Sequence, residues 1–313
     1  MIPTLLVISL LVFIIIELPP GDYIESYIAQ LEAQGEQANP ELLNFLRQQY
    51  GLEKPAYERY FGWVTGMVQG DFGFSFEYRM PVSEVIGDRL LLTILISIAT
   101  IMFTWIIAFP IAIYSATHQY SWGDYGLTLL GLMGLATPNF LLALIMLYFA
   151  NVVFGTSIGG LMDPEYLNQP WSVDKAVSVL EHLWVPVVVI GTAGTAGMIR
   201  KLRANLLDEL GKPYLMTAKA KGVPSLRAIL KYPVRVAVNP LVSTVGYLVP
   251  SLISGSVIVS VVLSLPTIGP LLLTAILSQD SYTAGFIILM LGTLTVIGTL
   301  VSDILLAIVD PRI

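Results

Sequence analysis

Nine of the 16 Lys and Arg residues fall between positions 200 and 235: Arg200, Lys201, Arg203, Lys212, Lys219, Lys221, Arg227, Lys231 and Arg235. Only two acids, Asp208 and Glu209, accompany them. Such a segment does electrostatic chemistry. It can dock a soluble protein or rest on anionic lipid headgroups. Positions 214 to 221 read as a short basic helix stopped by Gly222, and Pro224 is well placed to open a second one, since proline is tolerated in a first turn. The small Ala218 and Ala220 leave room for a neighbouring surface. A second pattern is polar but uncharged. Ser256, Ser260 and Ser264 recur every four residues, with Ser254 beside them, and on one continuous helix they share a face. A hydroxyl stripe facing lipid is costly, so it predicts a partner helix or a watery path.

Other chemistry is missing from the pattern. There is no Cys, and His118 and His182 stand far apart, which argues against a thiolate or His-built metal centre. No Gly-rich loop with Lys suited to phosphate is visible, so the chain is not expected to hydrolyse nucleotide. The formal charge of −6 argues against nucleic acid as a partner.

The elements that must position these residues are membrane helices. Hydrophobic residues make up 55% of the 313, charged ones 12%, and the mean hydropathy is +0.76. A span needs about 20 apolar residues. Six stretches qualify: 1–18, 90–116, 127–153, 183–199, 240–265 and 285–309. The first lacks a basic leader and is read as a retained helix rather than a cleaved signal. Almost no ionisable residue lies within the spans; Asp303 is the clearest exception and Glu17 sits at a boundary. The segment between the first two spans holds five basic residues against eleven acids. The basic segment at 200–235 is therefore placed inside and the acidic one outside, with both termini cytoplasmic. Helical stretches at 40–50 and 55–68, followed by the aromatics of 72–78, predict a small folded outer element.

Thr-Ala-Lys-Ala-Lys-Gly at 217–222 is similar to the cytoplasmic EAA loop of ABC-importer permeases, in the form used by the dipeptide/oligopeptide/nickel branch, and the chain resembles that family along its length. In order along the chain, Leu18-Pro-Pro-Gly-Asp22, Gln48-Gln-Tyr-Gly-Leu52, Gly70-Asp-Phe-Gly-Phe-Ser75 and Pro81-Val-Ser-Glu-Val-Ile-Gly-Asp-Arg-Leu90 resemble its outer segment and the lead-in to the second span. Ala136-Thr-Pro-Asn-Phe140 stands at its proline-containing bend, Pro266-Thr-Ile-Gly269 at its PGLG turn and Asp310-Pro-Arg312 at its DPR terminus. There are departures. Met216 replaces the Glu that opens the general EAA pattern, Ser260 stands where many relatives carry Glu, and Thr267 replaces a Gly.

The resemblance implies an all-α polytopic membrane protein of six transmembrane helices. It divides into a first helix at 1–18, an extracytoplasmic element at 19–89 and a five-helix core at 90–313 with a coupling segment at 200–236. It implies a transport subunit in a bacterial or archaeal plasma membrane, not an enzyme. This chain would bind no cofactor; ATP and Mg would sit on partner subunits. The implied partners are a second permease subunit, two ATP-binding subunits, an extracytoplasmic solute-binding protein and membrane lipid. Carried over residue by residue, coupling to the ATPase falls on Tyr214, Thr217, Ala218, Lys219, Lys221, Gly222 and Arg227. The translocation path falls on Asn139, Ser254, Ser256 and Ser260. Oligopeptides are the expected cargo, with oligosaccharides the alternative. A stand-alone channel or ion-coupled carrier would need an intramembrane charge or filter motif, and a membrane enzyme a clustered His/Asp/Glu set; the sequence displays neither.

Overall fold

A computed structural model describes residues 1–18, 24, 28, 54–154, 159–167 and 169–309. The expected helix at 40–50, and the motifs at 19–22, 48–52 and 310–312, lie outside the described residues. What is described is helical apart from one small hairpin. The elements are α1 (Ile2–Glu17), α2 (Ala56–Gln69), β1 (Phe74–Ser75), β2 (Met80–Pro81), α3 (Val82–Thr117), α4 (Trp122–Ala136) and α5 (Asn139–Phe149). They continue as α6 (Val173–Leu210), α7 (Pro213–Ala220), α8 (Ser225–Lys231), α9 (Pro233–Ala237) and α10 (Asn239–Val242). The last four are α11 (Val245–Gly255), α12 (Val257–Val262), α13 (Ile268–Leu277) and α14 (Ser281–Val309).

Among the described residues three helices are long and apolar enough to cross a membrane: α3, α6 and α14, with 36, 38 and 29 residues. They contain the second, fourth and sixth expected spans. The third falls on α4 and α5, which continue one another across a 99° bend. Thr137 and Pro138 make that bend: both are extended, and proline disfavours helix in the residue before it. The first expected span is the 16-residue α1. The fifth is not one helix. It is divided among α10, α11 and α12, with breaks at Ser243–Thr244 and at Ser256. The single-face reading of the serines is therefore corrected. Ser256 is a break point (φ −102°, ψ 3°) and Ser264 has a left-handed φ of +53°, so no continuous helix carries the series.

The chain forms two compact units, 1–91 with 267–296, and 92–266 with 297–313. In the first, α1 and α2 lie together. Ser9 Oγ and Tyr60 OH are 2.9 Å apart, the Phe13 and Tyr60 rings meet edge to face, and Arg59 donates to Glu17 at 2.9 Å. The α2 helix matches the stretch expected at 55–68 and ends at Gly70 in a left-handed turn. The hairpin pairs Phe74 with Pro81 and Ser75 with Met80. The Ser75 hydroxyl donates to Asp280, a fully buried carboxylate that also accepts from Thr283 Oγ1 at 2.8 Å. The core is Val82, Val85, Ile86, Ile268, Leu271 and Ile287.

The second unit is built around α6, which packs against α4, α5 and α9. Ser172 caps its start by accepting from Lys175 N at 3.2 Å. One apolar cluster joins α5, α6 and α12 through Ala143, Val185, Val189 and Val259, and the loop residues Leu161 and Met162 are buried in it. Another lies around the basic segment. A Cβ on Gly246 or on Gly298 would overlap the other's backbone, so α11 and α14 touch there through bare main chain. Ser302 donates to the Val242 carbonyl close by.

Candidate functional site

The basic segment begins on α6, which does not stop at the expected membrane boundary. Its 38 residues extend about 57 Å at 1.5 Å per residue, against roughly 30 Å of hydrocarbon. The residues from Arg200 to Leu210 prolong the helix beyond its apolar part. After Gly211 and Lys212, Pro213 opens α7 in its first turn. Thr217 Oγ1 donates back to Pro213 O at 3.0 Å.

The stop at Gly222 is as the sequence suggests. The Val223 N–H bonds to Ala218 O at 3.2 Å and the Gly222 N–H to Lys219 O at 2.9 Å, the paired closure of a Schellman motif. That motif needs a left-handed residue, and Gly222 supplies φ +81°. Pro224 then caps α8 in an extended conformation. The two short helices form an elbow with two faces. Leu215, Ala218, Ala228 and Ile229 turn inward, onto Leu202 and Leu206 of α6 and Ala108, Ala112 and Ala116 of α3. Alanine every fourth residue on α3 lets the elbow sit close.

Ala218 packs on the inner face of the elbow. It makes room for the chain's own core, with 8% of its surface exposed, while Ala220 stays outside. Tyr214, Thr217, Lys219, Lys221, Gly222 and Arg227 are all exposed, and the elbow brings them together. Between the cations lie Met216, Leu226 and Leu230, 72%, 65% and 47% exposed. Tyr214 OH donates to Glu209 Oε2 at 2.6 Å. Partial burial, then the Glu209 carboxylate, push its phenol above the usual tyrosine range, so it remains a protonated donor.

Three ties hold the elbow's supports. Arg203 donates to Asp124 at the start of α4 through Nε at 3.2 Å and Nη2 at 2.8 Å. Asn205 Nδ2 donates to Ala237 O on α9 at 3.2 Å. Arg235 Nε donates to Val309 O at 2.6 Å, at the end of α14.

The residues assigned to the path are more dispersed. Asn139 opens α5 directly after the bend and is half-buried. Ser254 is exposed near the end of α11, Ser256 is half-buried at the break, and Ser260 is buried on α12.

Residues 108–313 match the family described as binding-protein-dependent transport system inner membrane component, and residues 1–99 match the N-terminal part of such membrane components. The chain belongs to this family of ABC-importer permeases. The oligopeptide transport system permease protein AppB of Bacillus subtilis (strain 168) is 37% identical to it over 314 residues, 100% of this chain and 96% of AppB. The glutathione transport system permease protein GsiC of Escherichia coli (strain K12) is 31% identical over 313 residues, 100% and 95% of the two chains. A putative peptide permease protein of Brucella ovis is 30% identical over 312 residues, 99% and 94% of the two. The permease is accordingly a bacterial plasma-membrane protein.

Sequence reasoning about this permease missed three things. Asp124, 3% exposed, is a buried carboxylate close to the basic segment, whereas attention had gone to Asp303, which is exposed. Arg203 and Arg235 were counted as loop charges and instead tie helices together. The apolar Met216, Leu226 and Leu230 were not singled out. One signal was available for these three: at helical spacing they fall off the face that holds Leu215, Ala218, Ala228 and Ile229.

Proposed function

We propose that this permease is one of a pair of membrane subunits in an importer of peptides, worked through the elbow at 213–231 by a separate ATP-hydrolysing subunit. The two-faced elbow carries this reading. Its inner face is satisfied by the chain's own core, while its outer face leaves Tyr214, Thr217, Lys219, Lys221, Arg227 and three large apolar side chains uncovered. Gly222 and the inward Ala218 give the elbow its shape. ATP and Mg belong to the partner subunits, and this chain contributes no cofactor site. The elbow lies on the cytoplasmic side with both chain termini, as its positive charge supports. The acidic segment between the first two spans faces outward and seats a solute-binding protein. Asn139, Ser254, Ser256 and Ser260 contribute to the path, with Ser260 the least accessible of the four in this conformation.

Peptides as cargo are supported by the names of the relatives, which are an oligopeptide, a glutathione and a putative peptide permease. These favour peptides over oligosaccharides. Closure of the nucleotide-binding dimer moves the elbow. The long α6 and the Arg235 tie carry the motion into the spans, and the loaded binding protein selects one of the two openings.

Two substitutions test the docking. Gly222→Asp projects a carboxylate from an open position, where nothing lies within 4 Å of a new Cβ, and Asp tolerates a left-handed backbone better than most residues. The variant should insert but fail to retain the ATP-hydrolysing subunit in a pull-down. Charge reversal at Lys219 and Lys221 should lower uptake of a labelled oligopeptide by about tenfold, equivalent to about 1.4 kcal/mol of lost docking, with ATP hydrolysis continuing. Full uptake in the double reversal would refute the role given to these lysines. Uptake of a labelled oligosaccharide in place of the peptide would refute the cargo.

A further inference from the structure

The helices α4 and α6 meet at two points and part between them. At one, a Cβ on Gly134 would lie 2.6 Å from Thr192 Cγ2, so the helices touch there because Gly134 has no side chain. At the other, Arg203 holds Asp124. Between these points Gly131 faces Ala196, where an added Cβ would come into ordinary van der Waals contact with Ala196 Cβ at 3.9 Å, so the bare glycine leaves that space open. The result is a groove of about 280 Å³, walled by Gly131, Leu132, Ala196 and Ile199 and ending at Arg200 and Arg203.

The two guanidiniums differ. Arg203 spends two of its five donors on Asp124, which also balances its charge. Arg200 is exposed and has neither an ion pair nor a side-chain hydrogen bond among the described residues. An uncompensated cation therefore stands at the mouth of an apolar notch, where the hydrophobic part of α6 gives way to its charged end.

We propose that this groove binds an anionic phospholipid, with an acyl chain along the Gly131–Ala196 notch and the phosphate on Arg200 and the unspent donors of Arg203. The complementarity is twofold. Basic pockets between spans favour anionic headgroups, whereas a zwitterionic lipid brings a cation of its own to the mouth. Free phosphate would leave the apolar length unfilled. A helix of the second permease would have to bury Arg200 against a matching acid. The inference rests on the membrane placement of α6, and on neither the cargo nor the docking of an ATPase.

The test uses the full-length permease in detergent, stripped of lipid and titrated with phosphatidylglycerol or phosphatidylcholine, with bound lipid counted by native mass spectrometry. Phosphatidylglycerol should be retained at least about fivefold better, the factor that one basic side chain supplies at an anionic surface. Arg200→Gln, which alters charge and not packing, should bring the two lipids level. Lys201→Gln, at a position outside the groove lining, should preserve the preference, and Gly131→Leu should abolish retention of both by filling the notch. Equal retention by the unaltered protein would overturn the proposal. So would a preference that survives Arg200→Gln, or one that Lys201→Gln removes as completely, since that would mark general surface charge. Displacement of lipid by millimolar inorganic phosphate would identify a phosphate site instead. Because the chain has no Cys, a single Leu132→Cys can be cross-linked in the assembled complex. Capture of the second permease from that position would show protein in the groove and end the lipid reading.

Discussion

The helix α6 and the segment at 239–262 are both apolar and both contain proline, yet one is a single helix of 38 residues and the other is three short ones. Proline alone does not decide the outcome. Pro186 is accommodated inside α6, where a serine cap, the Asp124 pair, the Asn205 bond and a half-buried apolar length hold the helix on either side. The later segment concentrates Pro240, Pro250, Gly246 and Gly255 with Ser243 and Thr244 in a short run, and its described contacts include the Gly246–Gly298 approach, the Ser302 hydroxyl and the packing of Leu241 and Val259 in the apolar clusters. Local breakers shape a helix when tertiary ties are few and are overruled when ties are many. One element is thus continuous and the other segmented.

That contrast can be broken. Its largest lever is Arg203→Ala, which strands Asp124 as a buried charge and should cost about 3–5 kcal/mol in thermal unfolding of the solubilised protein. Adding Asp124→Asn should recover part of the loss, because the stranded charge is then gone. A cost below about 1 kcal/mol for the single change would mean that α6 owes little of its integrity to this tie. A smaller effect is expected at Gly246→Val, where the new side chain meets the Gly298 backbone. Overpacking of this kind costs about 1–3 kcal/mol. A segmented stretch should absorb the change toward the low end of that range, and limited proteolysis should reveal new cleavage near 243–256. The smallest is Arg235→Gln. Loss of a cation from a helix C-terminus should cost about 0.3–1 kcal/mol, and hydrogen exchange should accelerate in the last turn of α14 before it changes elsewhere.

Much of the local shape of the elbow at 213–231 was legible because its signals are local. Gly222 and Pro224 act within a turn of their own positions, so the stop and restart could be placed without tertiary knowledge. The proline-centred bend at 136–140 was legible for the same reason. The serine series misled because a four-residue repeat implies a shared face only on an unbroken helix, and periodicity does not locate breaks. The Asp124–Arg203 pair joins residues 79 positions apart, and nothing in either neighbourhood announces the other. The inward turn of Ala218 was equally hidden, since a small residue suits a partner's surface and a close internal contact alike. Hydropathy marked the apolar lengths well and said little about which lengths would run straight.

The contact between Arg235 and the carbonyls of Val309 and Ile308 has a consequence for timing. Those oxygens are presented to the guanidinium only while the final coil of the terminal helix stays wound. Fraying of that coil would unhitch the elbow from the tail, and rewinding would re-engage it. The connection is thus a releasable clasp between α9 and the last turn of α14.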